Sequence, residues 1–205
     1  MAHTSDIDKT VVLCVECQGG AVGAEATLSA LKESTGALVE HVDCVLSAAR
    51  LAGVRVVHAV FEGHLGGRRT GTAPLWRALE KADAANAPGL PAACVVPELL
   101  AEGDLVQNRH HGLWPTRGTE LLDLLHGFGA ETVVLVGVSV NVALTLTAAD
   151  LQHAGFRVVV PREAVGGTPP EFVELALRHQ LAMLARVSTV DDVVSAWPVP
   201  VAAER

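Results

Sequence analysis

Residues 131–167 read ETVVLVGVSVNVALTLTAADLQHAGFRVVVPREAVGG. Thr132 to Val136 is an apolar run of the kind a parallel strand covered on both faces needs. Gly137 ends the run, and Val138, Ser139, Val140 and Asn141 follow. Val142 to Ala154 then carries a helical pattern, and Gly155 stops it as a glycine just past a helix end does. A second apolar run, Phe156 to Val160, comes next, with Pro161 behind it. Strand, turn, helix and strand at this spacing make one βαβ unit. In an open α/β sheet the ligand sits beyond the carboxyl ends of the strands, so the turn Gly137–Asn141 is the first place to look for chemistry.

The same pattern extends outward to both ends of the chain. The 205 residues suffice for one α/β domain, taken here as residues 1–205 with a core over 10–197 and a loose tail from 198. Hydrophobic residues make up 50% of the chain and aromatics only 3%, so the core is mostly Val, Leu and Ala, as parallel sheets prefer. A net charge of −8 with no basic run argues against nucleic acid or an anionic membrane as partner. No apolar segment is long enough to span a bilayer, and MAHTSDIDKT lacks a signal-peptide core, so a cytoplasmic protein is expected. Cys14 and Cys17 form a C-x-x-C inside the strand pattern TVVLCVEC, where positions three apart point to opposite faces. They and Cys44 and Cys94 read as small core residues rather than a redox pair.

Taken in order, Thr10 to Cys17 is the first strand, ending in Glu16-Cys17-Gln18-Gly19-Gly20. A carboxylate directly after the apolar run Val11 to Val15 is costly unless it has work or a partner. Gly23 to Lys32 is a loop or short helix, and Leu38 to Leu51 an amphipathic helix with Leu38, Val42, Val45, Leu46 and Ala49 on one stripe. Val54 to Phe61 is the second strand, with His58 as a core or strand-end histidine. Glu62 to Gly71 reads as a mobile polar rim in which Arg68 and Arg69 meet an anionic ligand. Pro74 to Ala82 is a helix, Ala84 to Ala93 a loop, and Asp104 to Gln107 the third strand. Asn108-Arg109-His110-His111-Gly112-Leu113-Trp114 follows, a cluster of hydrogen-bonding side chains at another strand end. Thr119 to Phe128 is a helix. Beyond the βαβ unit, Thr168 caps a helix from Glu171 to Leu184, Val187 to Val190 is the last strand, and Asp191 caps a short helix to Trp197.

The stretch 131–167 resembles the isochorismatase-like hydrolase family, which includes nicotinamidases, N-carbamoyl amidohydrolases and isochorismatases. There a hydrophobic strand runs into Gly-x-x-Thr-Asn-x-Cys-Val, then a helix with Ala residues and a closing Gly. Gly137, Asn141, Leu144, Thr147, Ala148 and Gly155 fit, and Ala143 stands at the nucleophilic cysteine. A methyl group cannot attack a carbonyl, so thiol chemistry is absent. The family's first strand ends hydrophobic-Asp-hydrophobic-Gln, the Asp being the general acid/base; Glu16-Cys17-Gln18 matches with a carboxyl one methylene longer. Its third strand ends in the catalytic Lys, then a small residue and an aromatic. Aligning Gly112 and Trp114 to these puts Asn108 on the Lys, with His110 the other candidate.

The resemblance spans Thr10 to Trp197. It implies a three-layer α/β/α, Rossmann-like fold with a parallel sheet of about six strands in the order 3-2-1-4-5-6. It also implies a homodimer or larger homo-oligomer and a cis peptide bond at Val138–Ser139, which turns the NH groups of Ser139 and Ala143 toward a substrate oxygen. The nicotinamidase branch holds a metal with an Asp and two His. Only His58 and His64 are available here, with no acid at that spacing, so neither metal nor cofactor is expected. Isochorismatases hydrolyse vinyl ethers by protonating the enol carbon from the strand-one carboxylic acid, which burial in a partly apolar pocket helps keep protonated. The expected function is thus a small-molecule hydrolase or related acid/base enzyme. Glu16 is its general acid/base, assisted by Asn108, His110 or His111, and Gln18, His111, Trp114, Ser139, Asn141 and Ala143 contact substrate. A pseudoenzyme that binds a metabolite or partner protein, and a structural subunit of a hetero-oligomer, are the alternatives.

Overall fold

The computed structural model describes residues 6–63, 72–75 and 84–197. Among them, strands β1 (Thr10–Val15), β2 (Arg55–Phe61), β3 (Leu105–Arg109), β4 (Thr132–Val138), β5 (Arg157–Pro161), β6 (Val165–Gly166) and β7 (Arg186–Ser188) form one sheet. Every pairing is parallel. The order is β3-β2-β1-β4-β5-β7, with the two-residue β6 beside the end of β4. The expected order therefore stands, with β7 as its sixth strand and β6 as an addition.

Strand residues alternate between two apolar layers, as the period of two requires. Val12, Cys14, Val56, Val60, Val134, Val136 and Val159 pack on one face with α1 (Ser29–Glu33), α2 (Leu38–Ala52) and the C-terminal helix α6 (Val190–Val194). Val11, Leu13, Val15, Val57, Val133, Leu135 and Val158 pack on the other. Their partners there are α3 (Leu121–Gly127), α4 (Ala143–His153) and α5 (Pro170–His179). Helix α2 buries the stripe read from the sequence, Leu38, Val42, Val45, Leu46 and Ala49, and Gly53 ends it at φ +80°. Truncating Leu46 to Ala would cost about 2–5 kcal/mol.

Several boundaries move. β1 stops at Val15 because Glu16 adopts a left-handed φ of +53°. That kink reverses the side-chain parity, so Cys14 and Cys17 lie on the same face in one core cluster rather than on opposite faces. Cys44 and Cys94, read as core, are exposed. The helix read as Glu171–Leu184 ends at His179, and a short turn over Leu181–Met183 follows. Thr168 does not cap it: Pro169 holds that position, and the Thr168 amide is spent on Asn141. Thr189, not Asp191, caps the last helix through its hydroxyl on Asp192 N. Of the helix read at Pro74–Ala82 only Pro74 and Leu75 are described, and both are helical. His64, Arg68, Arg69 and the tail from 198 lie outside the described residues.

Register brings the carboxyl ends of four strands to one edge. Val15 faces Ala59 and Gly137, and Phe61 faces Arg109. Gly137 is required at this point: a Cβ there would stand 2.2 Å from the Val15 carbonyl oxygen, and φ is +109°.

Candidate active site

Glu16 follows β1 directly. Its amide donates to Ala59 O at 2.8 Å, which fixes the backbone in the left-handed conformation. A non-glycine residue held there costs about 1–2 kcal/mol, and such residues concentrate at functional sites. The carboxylate is turned toward β3, where Arg109 Nη2 donates to Oε1 at 2.6 Å. Gln18 staples the same edge. Its Nε2 donates to Phe61 O at 2.8 Å and Ala92 O at 2.9 Å, and Phe61 N donates to its Oε1 at 2.7 Å. Those bonds engage both ends of the Gln18 amide, and the side chain lines the cleft.

Arg109 was not among the candidates from sequence. It is the last residue of β3, only 4% exposed, and its guanidinium carbon lies 5.4 Å from the Phe61 ring centroid. Its Nε and Nη1 are buried without an acceptor among the described residues. Alternation along β3 gives Asn108 the opposite face, and its Oδ1 is buried without a partner among the described residues. His110 lies off the cleft as well, with Nε2 4.0 Å from Glu62 Oε2. The cation at this strand end is therefore Arg109, one residue from each of the two positions expected for it. The strand runs two residues past the expected Gln107, and only that extension brings a basic side chain to the edge.

At the centre of the edge the Val138–Ser139 bond is cis, as the resemblance implied. Ser139 O accepts from Val142 N at 3.2 Å and Leu144 N at 3.0 Å, closing the turn into α4. The Ala143 amide, in the first turn of α4, has no intrahelical acceptor. Asn141 is turned away. Its Nδ2 donates to Thr168 O at 2.6 Å and its Oδ1 accepts from Thr168 N at 3.0 Å, so it clamps two loops together and does not line the cleft. Trp114 is likewise structural. Its indole donates to Leu146 O at 3.2 Å, and Arg117 lies over its ring at 4.9 Å while bonding Asp150. These contacts fasten the loop after β3 to α4 and put Leu113, not Trp114 or His111, in the cleft wall.

The resulting cleft encloses about 710 Å³, counting its open mouth. Glu16, Arg109, Ser139 and Ala143 line it together with an apolar wall of Leu28, Leu31, Phe61, Leu113 and Val142. Cys14 stays behind the wall. Its hydrogen bond with Cys17, and then burial, push the thiol well above its usual pKa, so it is inert as a nucleophile. Among the described residues no group of three His, Cys, Asp or Glu side chains converges as a metal site, and no helix is long and apolar enough to cross a membrane.

A parallel α/β sheet with a carboxylate, a buried guanidinium and an amide-lined turn at its carboxyl edge defines a protein built around a small-molecule cleft. Residues 10–192 match the model of the isochorismatase domain, and the chain belongs to the isochorismatase family of hydrolases. A cysteine hydrolase from Pseudomonas syringae pv. phaseolicola shares the fold, with a TM-score of 0.78 at 21% identity over 93% of each chain. The secreted isochorismatase effector Isc1 of Verticillium dahliae is 26% identical over 188 residues, 91% of this chain and 87% of that one. The isochorismatase family protein YecD of Escherichia coli O157:H7 is 30% identical over 79 residues, 38% of this chain. That match spans 42% of the length of YecD.

Proposed function

We propose that the protein hydrolyses a small molecule by acid/base chemistry centred on Glu16, with no covalent enzyme intermediate. The observation that carries this reading is the Glu16–Arg109 pair, held at 2.6 Å in a cleft where Ala143 presents a methyl group. Without a thiol, water must be the nucleophile. Glu16 already accepts a hydrogen bond from Arg109 through Oε1, so its Oε2 is the oxygen that takes the water proton. The hydroxide oxygen bonds to the electrophilic carbon, and the Ser139 and Ala143 amides receive the charge on the displaced oxygen. Collapse expels the leaving group, which takes the proton back from Glu16. Arg109 cannot lose a proton and so holds charge in place, the part expected of Asn108 or His110.

Gln18, Asn141 and Trp114 contribute the walls and clamps that fix this geometry. We read the protein as a cytoplasmic homo-oligomer that needs no cofactor. A second reading, a metabolite-binding protein without turnover, draws its support from Ala143.

The test is a hydrolysis screen over amides, N-carbamoyl amines, esters and vinyl ethers, run before and after iodoacetamide. Hydrolysis that survives alkylation of the exposed Cys44 and Cys94, and disappears in Glu16→Gln, is the expected result. Complete inactivation by alkylation with substrate protection would sink the thiol-free mechanism. Saturable ligand binding with no turnover would select the second reading.

A further inference from the structure

The described part of the cleft wall carries one cation and one anion, Arg109 and Glu16, and they do not consume each other's capacity equally. A guanidinium has five N–H groups. Glu16 takes one, through Nη2. Nε and Nη1, which carry three, are buried with no acceptor among the described residues. The residue is 4% exposed, so this is donor capacity withdrawn from bulk water, a costly arrangement unless something in the cleft completes it. Phe61 lies against one face of the guanidinium, so a further acceptor must come in its plane or from the cleft side. Beyond the pair, the uncharged polar side chains of Gln18, Thr27, Asn86 and Ser139 share the wall with an apolar patch from Leu28, Leu31, Phe61, Leu113 and Val142.

We propose that the cleft selects a small carboxylic acid: its carboxylate shares Arg109 with Glu16, and its apolar body packs on the leucine and phenylalanine wall. The inference rests on the hydrolase reading only in using the same cleft; it concerns binding and stands or falls without turnover. A carboxylate has the lone pairs to take two N–H groups at once, which an amide oxygen on a neutral ligand cannot match in charge. Nη1 is shielded from solvent, so the ligand gains its two N–H groups as the guanidinium turns about its Cδ–Nε bond. Arg109 then bridges two carboxylates, and the ligand's reactive group is placed beside Glu16. A second carboxylate near Glu16 is tolerated only because the guanidinium lies between them.

Isothermal titration of the full chain with benzoate, and with benzamide as its neutral isostere, tests this. Benzoate is expected to bind at least about tenfold more tightly, the factor a charge-assisted hydrogen bond gives. Arg109→Gln should erase the preference. Because that variant removes a buried cation and can lose the fold, Glu16→Gln supplies the second arm. It leaves Arg109 in place and removes the competing anion, so benzoate affinity should rise severalfold while benzamide affinity changes little. Equal affinity for the two ligands in the wild type, a preference that survives Arg109→Gln, or benzoate binding that weakens in Glu16→Gln each overturns the proposal. Turnover of neutral substrates alone, with no benzoate preference, would leave the hydrolase reading standing and this one fallen.

Discussion

Arg50 Nη2 lies 2.6 Å from Asp104 Oδ2, and Arg109 Nη2 lies 2.6 Å from Glu16 Oε1. The first pair is closed. Asp104 also accepts from Arg50 Nε at 3.2 Å and Ala101 N at 3.0 Å, and faces His58 Nε2 at 3.1 Å. Arg50 Nη2 reaches Leu99 O at 2.6 Å as well. Burial pushes the Asp104 carboxyl upward, but the bonds from Arg50, Ala101 and His58 outweigh it and leave it below the usual value. The second pair is open: Arg109 keeps unmatched donors, and Glu16 sits on a strained backbone facing a cleft. The same two functional groups thus make a structural tie where both carboxylate oxygens are met by donors from Arg50, Ala101 and His58, and a site where buried donors of the guanidinium are left open.

The largest test of that contrast is Glu16→Gln. Glutamine keeps an oxygen for Arg109, so the fold should hold, while the proton-transfer group is gone. We expect kcat/KM on any substrate found to fall by about 10²–10⁴-fold, the usual contribution of a general acid or base. A variant with full activity would remove Glu16 from the mechanism. Asp104→Ala should do the reverse. It strands Arg50 and His58 beside an empty site, and breaking such a pair costs about 3 kcal/mol or more. The urea midpoint should drop accordingly, with kcat unchanged in the protein that remains folded. A loss of activity without loss of stability would erase the distinction between the pairs.

A smaller effect is expected from Gln18→Leu, which removes the three bonds to Phe61 and Ala92 at the base of the cleft. Leaving one or more of those backbone groups unpaired costs about 1–3 kcal/mol. Because Gln18 positions the wall, KM should rise more than kcat falls. A fall confined to kcat would place Gln18 at the reacting atoms instead.

The closed half of the molecule was the legible one. The Val-rich runs of β1, β2, β4 and β5 and the stripe of α2 follow from periodicity, because burial on two faces or one leaves a direct trace in residue order. The open half was harder. Glu16 could be picked out as a carboxyl after an apolar run, but nothing in residue order announces φ +53° at a non-glycine position. That one dihedral ended β1 early and put Cys17 on the face of Cys14. Arg109 escaped for a related reason. In LVQNR the edge strand β3 exposes Leu105 and Val106, at 41% and 46%, so its apolar pattern is weak and its end was set two residues short. Counting alternation from Asp104 onward would not have helped without knowing where pairing stops. The remaining signal was chemical, a basic residue within one position of the expected cation. Asn141, which the resemblance had facing substrate, shows the converse: its amide is fully engaged by Thr168, a partner 27 residues away that no local pattern reveals.

The smallest expected effect belongs to His58, at the inner end of the closed pair. It is 1% exposed, and burial lowers its pKa below the ordinary value, although the hydrogen bond and charge of Asp104 pull the other way. A histidine whose folded pKa lies below its unfolded one is bound by fewer protons in the native state. As pH falls through about 6.5 the unfolded chain takes up the proton first, so stability declines, and the decline ends once the folded form is protonated too. Asp104, also lowered, acts in the same direction, and its contribution begins only below about 4. The loss from His58 cannot exceed about 1.4 kcal/mol per pH unit. Urea midpoints at pH 7.5 and 5.5, compared between the wild type and His58→Gln, isolate it, since the remaining histidines cancel in the comparison. Glutamine keeps a donor toward Asp104 but does not titrate, so the variant should lose less stability on acidification. An equal loss in both proteins would mean that the Asp104 contact offsets burial completely, and that the closed pair is as ready to accept a proton as water.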